Sequence, residues 1–358
     1  MATVVLAGGG TAGHIEPALA VAREWMTTNP SDKCIFLGTK TGLENTLVPA
    51  AGFELRFIPK VAISRTLSAS WLRLPLDLIS SVVSSIKVVK NADVLIGFGG
   101  YVSAPAYLAA ALSRTPIVIH EANAKSGWAN RLGAAFTSHL AVAHPVEQGK
   151  FSDALLAGLP LRSDVANAAV TSAANWGNAR TDAKLRLGFP ADAPLVFIMG
   201  GSQGSVAINS VVMKSVSTFN QKGISVLHSV GKLNALPAID GGYKPVPYVD
   251  AMADAYLAAD VIIARSGAVT CSEFRALGRY ALFVPLPIGN GEQFVNAASL
   301  VADGRAEIIT QKEFTSDFVE AQIDRLLKAA AHAPINGDDH DLDAAQKIVA
   351  LTDFALKS

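Results

Sequence analysis

Val4-Val5-Leu6-Ala7 runs directly into Gly8-Gly9-Gly10-Thr11-Ala12-Gly13-His14, and Val196-Phe197-Ile198-Met199 runs in the same manner into Gly200-Gly201-Ser202-Gln203-Gly204. Each stretch is a short apolar run that stops in glycines, the pattern of a buried strand feeding a tight turn and then a helix. Working outward from the first, β-branched runs at Thr3–Ala7, Cys34–Gly38, Glu54–Ile58, Asp93–Ile96, Pro116–His120 and His139–Ala143 alternate with Ala-rich helical stretches. Around the second, Pro194–Met199, Ile224–Ser229, Val246–Val249, Asp260–Ala264, Tyr280–Pro285 and Ala306–Thr310 repeat the alternation. Such alternation predicts parallel βαβ units with helices on both faces, so one doubly wound α/β architecture is used twice. The expected domains are residues 1–162 and 163–340, with Ser163–Lys184 as the linker and a last helix near Asp341–Lys357 packing back on the first domain. Strand C-termini carry the ligand sites in such sheets, and the two sets are expected to face a shared crevice.

Composition narrows the function. The 358 residues are enough for about two domains, half of them are hydrophobic, and only 17% are charged, which excludes a disordered chain. Lys plus Arg and Asp plus Glu both number 30, so nothing favours nucleic acid as a partner. Cys34 and Cys271 are the only cysteines, too far apart in sequence and too few to signal a disulfide framework or a zinc site. Asp338-Asp339-His340-Asp341 reads as a solvated turn, and no metal or cofactor is predicted. The N-terminus lacks the basic start and long apolar core of a secretory signal, and no apolar run reaches the ~18 residues of a membrane span. A cytoplasmic protein with at most peripheral membrane contact is expected.

The glycine loops point to phosphorylated ligands. Backbone N–H groups exposed by glycine, followed by a helix N-terminus predicted near Glu16-Pro17, suit an anion. The spelling of the first loop also fits a nicotinamide fingerprint, but Phe36-Leu37-Gly38-Thr39-Lys40 carries no carboxylate for a ribose, and Glu44 falls too late. The second loop lacks the Lys-Ser/Thr ending of a P-loop. The plain alternative for either loop is tight strand-to-helix packing. Polar groups cluster at further strand ends: Gly99-Gly100-Tyr101, His120-Glu121-Ala122-Asn123, and Arg265-Ser266-Gly267 leading into Ala268–Glu273.

GGGTAGH (Gly8–His14), FGGYVSAP (Phe98–Pro105), HEANAKSGWANR (His120–Arg131), MGGSQGS (Met199–Ser205), YVDAM (Tyr248–Met252), RSGAVTCSE (Arg265–Glu273) and GNGEQFVNA (Gly289–Ala297) occur in that order. This set resembles the family of bacterial glycosyltransferases that make lipid II of peptidoglycan, over nearly the whole chain, with a spelling similar to actinobacterial members. The resemblance implies a two-domain GT-B fold of Rossmann-like sheets. It also implies an inverting hexosyltransferase that moves N-acetylglucosamine from UDP-N-acetylglucosamine to the C4 hydroxyl of the muramoyl-pentapeptide on pyrophosphoryl-undecaprenol.

Residue roles follow from that resemblance. Donor binding falls to Ser202, Val249, Arg265, Ala268, Val269, Thr270, Cys271, Ser272, Glu273 and Gln293, joined by Thr11, Ala12, Gly13, Asn123 and Arg162. Acceptor binding falls to Gly9, Gly10, Thr11, Gly13, Tyr101 and Asn130. His14 is the expected general base, since a neutral imidazole suits removal of a sugar hydroxyl proton near pH 7, and Glu121 is the rival. A structural His14 and a helix-capping Glu273 are the plain alternatives. Three departures from the usual family spelling stand out: Ala12 for a glycine, Leu159 for an asparagine, and Glu292 before Gln293. For the lipid acceptor, Trp71, Leu72, Leu76, Ile79 and Val83 at helical spacing, with Arg65, Arg73, Lys87 and Lys90, offer a membrane-docking helix, unless the stripe is core.

Overall fold

The computed structural model describes residues 1–61, 74–287 and 291–358. It divides into two compact units, one of Met1–Arg162 with His340–Ser358 and one of Ser163–Asp339. The first unit is built from β1 (Thr3–Gly8), α1 (Ala12–Thr28), β2 (Lys33–Gly38), α2 (Glu44–Ala50), β3 (Glu54–Phe57), α3 (Leu74–Val89), β4 (Val94–Gly99), α4 (Ser103–Ser113), β5 (Ile117–Glu121), α5 (Trp128–Gly133), β6 (His139–Val142) and β7 (Leu155–Leu156). Its strands are all parallel in the order β3-β2-β1-β4-β5-β6-β7. The order reverses between β1 and β4, so the turns that leave those two strands open at a topological switch point.

The second unit contains α6 (Ser163–Ser172), α7 (Trp176–Arg186), β8 (Leu195–Met199), α8 (Val206–Lys214), α9 (Val216–Gln221), β9 (Ser225–Ser229), β10 (Tyr243–Val246), α10 (Met252–Ala258), β11 (Val261–Ala264), α11 (Ala268–Ala276), β12 (Ala281–Phe283), α12 (Glu292–Ala302), β13 (Ala306–Ile308) and α13 (Ser316–His332). Its sheet runs β10-β9-β8-β11-β12-β13, again parallel, with the reversal between β8 and β11. The last helix, α14 (Ala344–Ala355), belongs to the first unit, where Ile348, Val349 and Ala355 join the core that holds Ile15, Leu19 and Trp25 of α1.

Burial explains the strand composition. Val4, Val5, Leu6 and Ala7 are inaccessible, as are Val196, Phe197 and Ile198, because helices cover both faces of each sheet. Each sheet therefore has two cores, one per face: Val4 and Leu6 face one, Val5 and Ala7 the other. A fully buried Val, Leu or Ile side chain contributes about 1.5–3 kcal/mol, so these central runs anchor the units.

Three expectations need correction. Ser163–Lys184 is no linker but α6 and most of α7; Val165 and Ala183 are fully buried in the second unit's core, and Asn175 caps α7 by accepting the Asn178 N–H at 3.2 Å. Its many Ala, Asn, Thr and Ser residues hide a narrow apolar stripe. The first helix starts at Ala12, so Pro17 lies inside it and the Gly13 carbonyl loses its usual donor four residues on. Strand β10 sits three residues earlier than Val246–Val249, since Tyr243 is the buried residue that pairs with β9. The short β7 carries no sequence signal of its own.

Candidate active site

The site in the first unit forms where β1, β4 and β5 end. Gly8 closes β1, and Thr11 caps α1 with its backbone; the His14 and Ile15 N–H groups return to the Thr11 carbonyl at 3.1 and 3.3 Å. The Thr11 hydroxyl lies 3.2 Å from His14 Nδ1 and no side-chain cap occupies the helix end, so the first amides of α1 remain open to an anion. The turn after β4 presses against this loop. Gly100 has φ +81°, and a Cβ there would run into the Gly9 carbonyl oxygen beside His14.

Burial holds the His14 imidazole below its usual range; the carboxylates of Glu121 and Glu44 and the Gly9 carbonyl partly offset it. The ring is therefore neutral at pH 7, the state a base needs. Glu121, buried at the end of β5, has both oxygens engaged. Oε1 accepts the Asn123 N–H at 2.9 Å and Asn123 Nδ2 at 3.2 Å; Oε2 accepts the Gly127 N–H at 2.8 Å and Asn130 Nδ2 at 3.0 Å. Asn130 is itself fixed, its Nδ2 also reaching the His120 carbonyl at 3.1 Å and its Oδ1 accepting the Tyr107 hydroxyl at 2.7 Å. Glu121, Asn123 and Asn130 thus form one network, and a carboxylate with four donors has little lone-pair capacity left for a substrate proton.

In the second unit the loop after β8 and the start of α11 carry the sequence-derived residues. Gly267 caps α11 without a side chain, and among the first-turn amides the Ala268 N–H meets the Asn296 side-chain amide at 3.2 Å. Val269 and Thr270 are half-buried, whereas Ala268, Cys271, Ser272 and Glu273 are buried. Burial pushes the Cys271 thiol up to about 12, which makes it a packing residue rather than a nucleophile. Glu273 Oε2 accepts the Tyr256 hydroxyl at 2.7 Å. Ser202 is half-buried in the glycine loop, and Val249 packs its side chain into the core. Gln293 Oε1 accepts the Leu286 N–H at 2.9 Å.

Two residues sit differently from the simplest reading of their type. Arg265 is buried, and both Nη atoms serve the protein. Nη1 donates to the Val284 and Pro285 carbonyls at 2.8 and 3.0 Å, and Nη2 to Ser205 Oγ and Gln311 Oε1 at 2.8 and 2.6 Å. Its guanidinium thereby ties the cap of α8 to the end of β12. Arg162 pairs with Glu16 of α1 at 3.2 Å, inside the first unit.

Both halves match family models: residues 4–142 the glycosyltransferase family 28 N-terminal domain, and residues 195–349 its C-terminal domain. The chain belongs to glycosyltransferase family 28. Among its relatives are the UDP-N-acetylglucosamine--N-acetylmuramyl-(pentapeptide) pyrophosphoryl-undecaprenol N-acetylglucosamine transferases of Thermobifida fusca and Corynebacterium glutamicum. The first is 43% identical over 97% of this chain and 94% of its own, the second 44% identical over 92% and 90%. The crystal structure of Acinetobacter baumannii MurG covers 97% of this chain and all of its own at 27% identity, with a TM-score of 0.65. CalG4, the calicheamicin glycosyltransferase, is 13% identical with a TM-score of 0.64 and shares the fold alone. The resemblance read from the seven motifs, the enzyme class and the GT-B pair of doubly wound sheets are borne out.

Within this family 28 chain, reading the sequence alone missed Glu44. It lies beyond β2, too late for a ribose ligand, yet its carboxylate is inaccessible to solvent and accepts the Gly10 N–H at 3.1 Å. Gly10 is thereby less available to an anionic ligand than its place in the loop implies. The signal in the sequence is Gly38 and Gly42 just before a lone acid, where the missing Cβ atoms leave room for that side chain to turn inward. Trp71, Leu72, Arg73 and Arg65, with Gly289 and Asn290, lie outside the described residues.

Proposed function

We propose that this chain transfers N-acetylglucosamine from UDP-N-acetylglucosamine to the C4 hydroxyl of the muramoyl-pentapeptide on pyrophosphoryl-undecaprenol, giving lipid II. The observation that carries this reading is relatedness above 40% identity over nearly the full length to transferases named for that reaction, together with a neutral His14 at the open end of α1. The second unit binds the donor: the start of α11 takes the diphosphate, Glu273 the ribose, the backbone at Val249 the uracil, and Gln293 the sugar. The first unit binds the acceptor, its pyrophosphate meeting the amides of Ala12 and Gly13, with Tyr101 and Asn130 shaping the subsite.

His14 removes the proton from the attacking hydroxyl as the bond to the anomeric carbon forms, and UDP departs with its growing charge held by helix-terminal N–H groups. Direct displacement of this kind inverts the anomeric centre. Glu121, with four donors on its carboxylate, orients the β5 turn and supports the imidazolium. Arg265 acts by holding Ser205 and the end of β12.

The lipid acceptor calls for a membrane surface, and α3 supplies one. Leu76, Ile79 and Val83, spaced i, i+3 and i+7, are 69%, 60% and 49% exposed, while Ser81, Ser85 and Val89 are buried. A helix that buries Ser81 and Ser85 while turning Leu76, Ile79 and Val83 outward, with Lys87 and Lys90 nearby, suits an anionic lipid interface, placing the enzyme peripherally on the cytoplasmic face. Among the described residues no helix is long and apolar enough to cross a membrane.

The test is transfer of labelled N-acetylglucosamine from its UDP donor to a short-chain lipid I analogue. Label in the disaccharide product supports the assignment, and no transfer beside an active control enzyme overturns it.

A further inference from the structure

Glu44 opens α2, where a carboxylate at a helix N-terminus needs no further explanation. Its side chain nonetheless leaves the helix end and gathers donors from three loops. Oε2 accepts the Gly10 N–H from the loop after β1 at 3.1 Å; Oε1 accepts the Thr39 N–H at 2.9 Å and the Thr39 hydroxyl at 3.0 Å after β2, and the Tyr101 hydroxyl at 3.1 Å after β4. The chain closes around it, since a Cβ at Gly42 would strike the carboxylate itself. A fully buried carboxylate is tolerable only when its oxygens are satisfied in this manner. In a dinucleotide-binding fold the acid after the second strand turns outward to a ribose; here the acid turns inward to the glycine loop.

We propose that Glu44 is a positioning residue for the transfer reaction: it removes the Gly10 N–H from the anion cradle, fixes Tyr101 against the loop, and sets the field around His14. The acceptor pyrophosphate is then directed to the Ala12 and Gly13 amides at the head of α1, within reach of the base. The charged and titratable groups around His14 are Glu121 from β5, Glu44 from α2 and the phenol of Tyr101, whose pKa burial pushes up to about 12 and whose ring Lys60 overlies at 5.5 Å; on its own helix, Glu16 is paired with Arg162. Glu121 and Glu44 both raise the proton affinity that burial lowers. Removing one carboxylate therefore lowers it further. The kinetic arm of this inference rests on the proposed transferase activity; the titration arm does not.

The experiment compares Glu44→Gln, which keeps the shape and loses the charge, with Glu44→Asp, which keeps the charge and shortens the reach. In Glu44→Gln the His14 imidazole, followed by NMR, titrates at lower pH than in the wild type, and the acid limb of kcat moves with it. KM for the lipid I analogue rises about tenfold while UDP affinity stays within about twofold, the scale expected for one charge-assisted hydrogen bond. Glu44→Asp restores the pH midpoint but not the acceptor KM. A folded Glu44→Gln with an unmoved midpoint and unchanged acceptor KM overturns the proposal. Should Glu44→Gln not fold, the acceptor KM of Glu44→Asp at constant UDP affinity decides. Should the wild type show no transfer, the transferase reading fails and the His14 midpoint alone judges Glu44.

Discussion

Burial lowers the proton affinity of His14, and the carboxylates of Glu121 and Glu44 restore part of it, which in the proposed reaction strengthens the base. Glu121 illustrates how such a charge is kept in place: four N–H donors, two from the backbone and two from asparagines, hold it where one misplaced donor would be costly. Glu121→Gln presents an amide to the Gly127 N–H and Asn130 Nδ2 in one flip and to Asn123 in the other. Loss of about 1–3 kcal/mol in urea unfolding is expected, together with a shift of the transfer acid limb to lower pH. An unshifted limb would remove Glu121 from the field around His14. His14 and Glu121 were legible as residue types, one at the end of the first glycine loop and the other at the end of a strand. Glu44 was not, because its partners come from three loops and only the folded chain shows which acid turns inward.

The central strands β1, β4 and β8 were legible because each is an apolar run buried on both faces that runs into glycine, whereas the edge strands β3, β7 and β10 are short, partly exposed or polar. The helices α6 and α7 were hidden by composition. The start of α1 was misread because proline marks a first turn more often than a sixth position. Within the second unit, His228 of β9 lies 2.8 Å from the Tyr243 hydroxyl on β10 and 3.1 Å from Asn209 Oδ1 on α8. Burial pulls its pKa from 6.5 down to about 4. A base depressed on folding contributes stability above its unfolded pKa that is lost as pH falls through the window from 6.5 to about 4, here at most about 3 kcal/mol. His228→Gln is expected to flatten that part of the stability curve by close to one proton; an equally steep fall would exclude His228 as its source. For α3, replacing Leu76, Ile79 and Val83 with serine should weaken liposome binding and leave UDP affinity intact, because the buried serine face is untouched. Unchanged liposome binding would return the outward aliphatics to the status of ordinary surface.

At the scale of the whole molecule, the two units have separate cores, and the chain crosses from one to the other at Arg162 and returns at His340. Ligands that bind one unit should therefore stabilise it selectively: UDP at 100 times its Kd contributes about 2.7 kcal/mol, and only to the unit that binds it. Calorimetry is expected to show the transition of the second unit moving up by several degrees while that of the first stays in place; a shift confined to the first would reverse the donor assignment. The central claim is the chemistry of His14. The rate of N-acetylglucosamine transfer to a short-chain lipid I analogue by His14→Ala, with UDP affinity measured alongside, tests it most directly. A loss of about 100-fold or more in kcat at unchanged UDP affinity is predicted for the removal of a general base, and turnover near that of the wild type would contradict it.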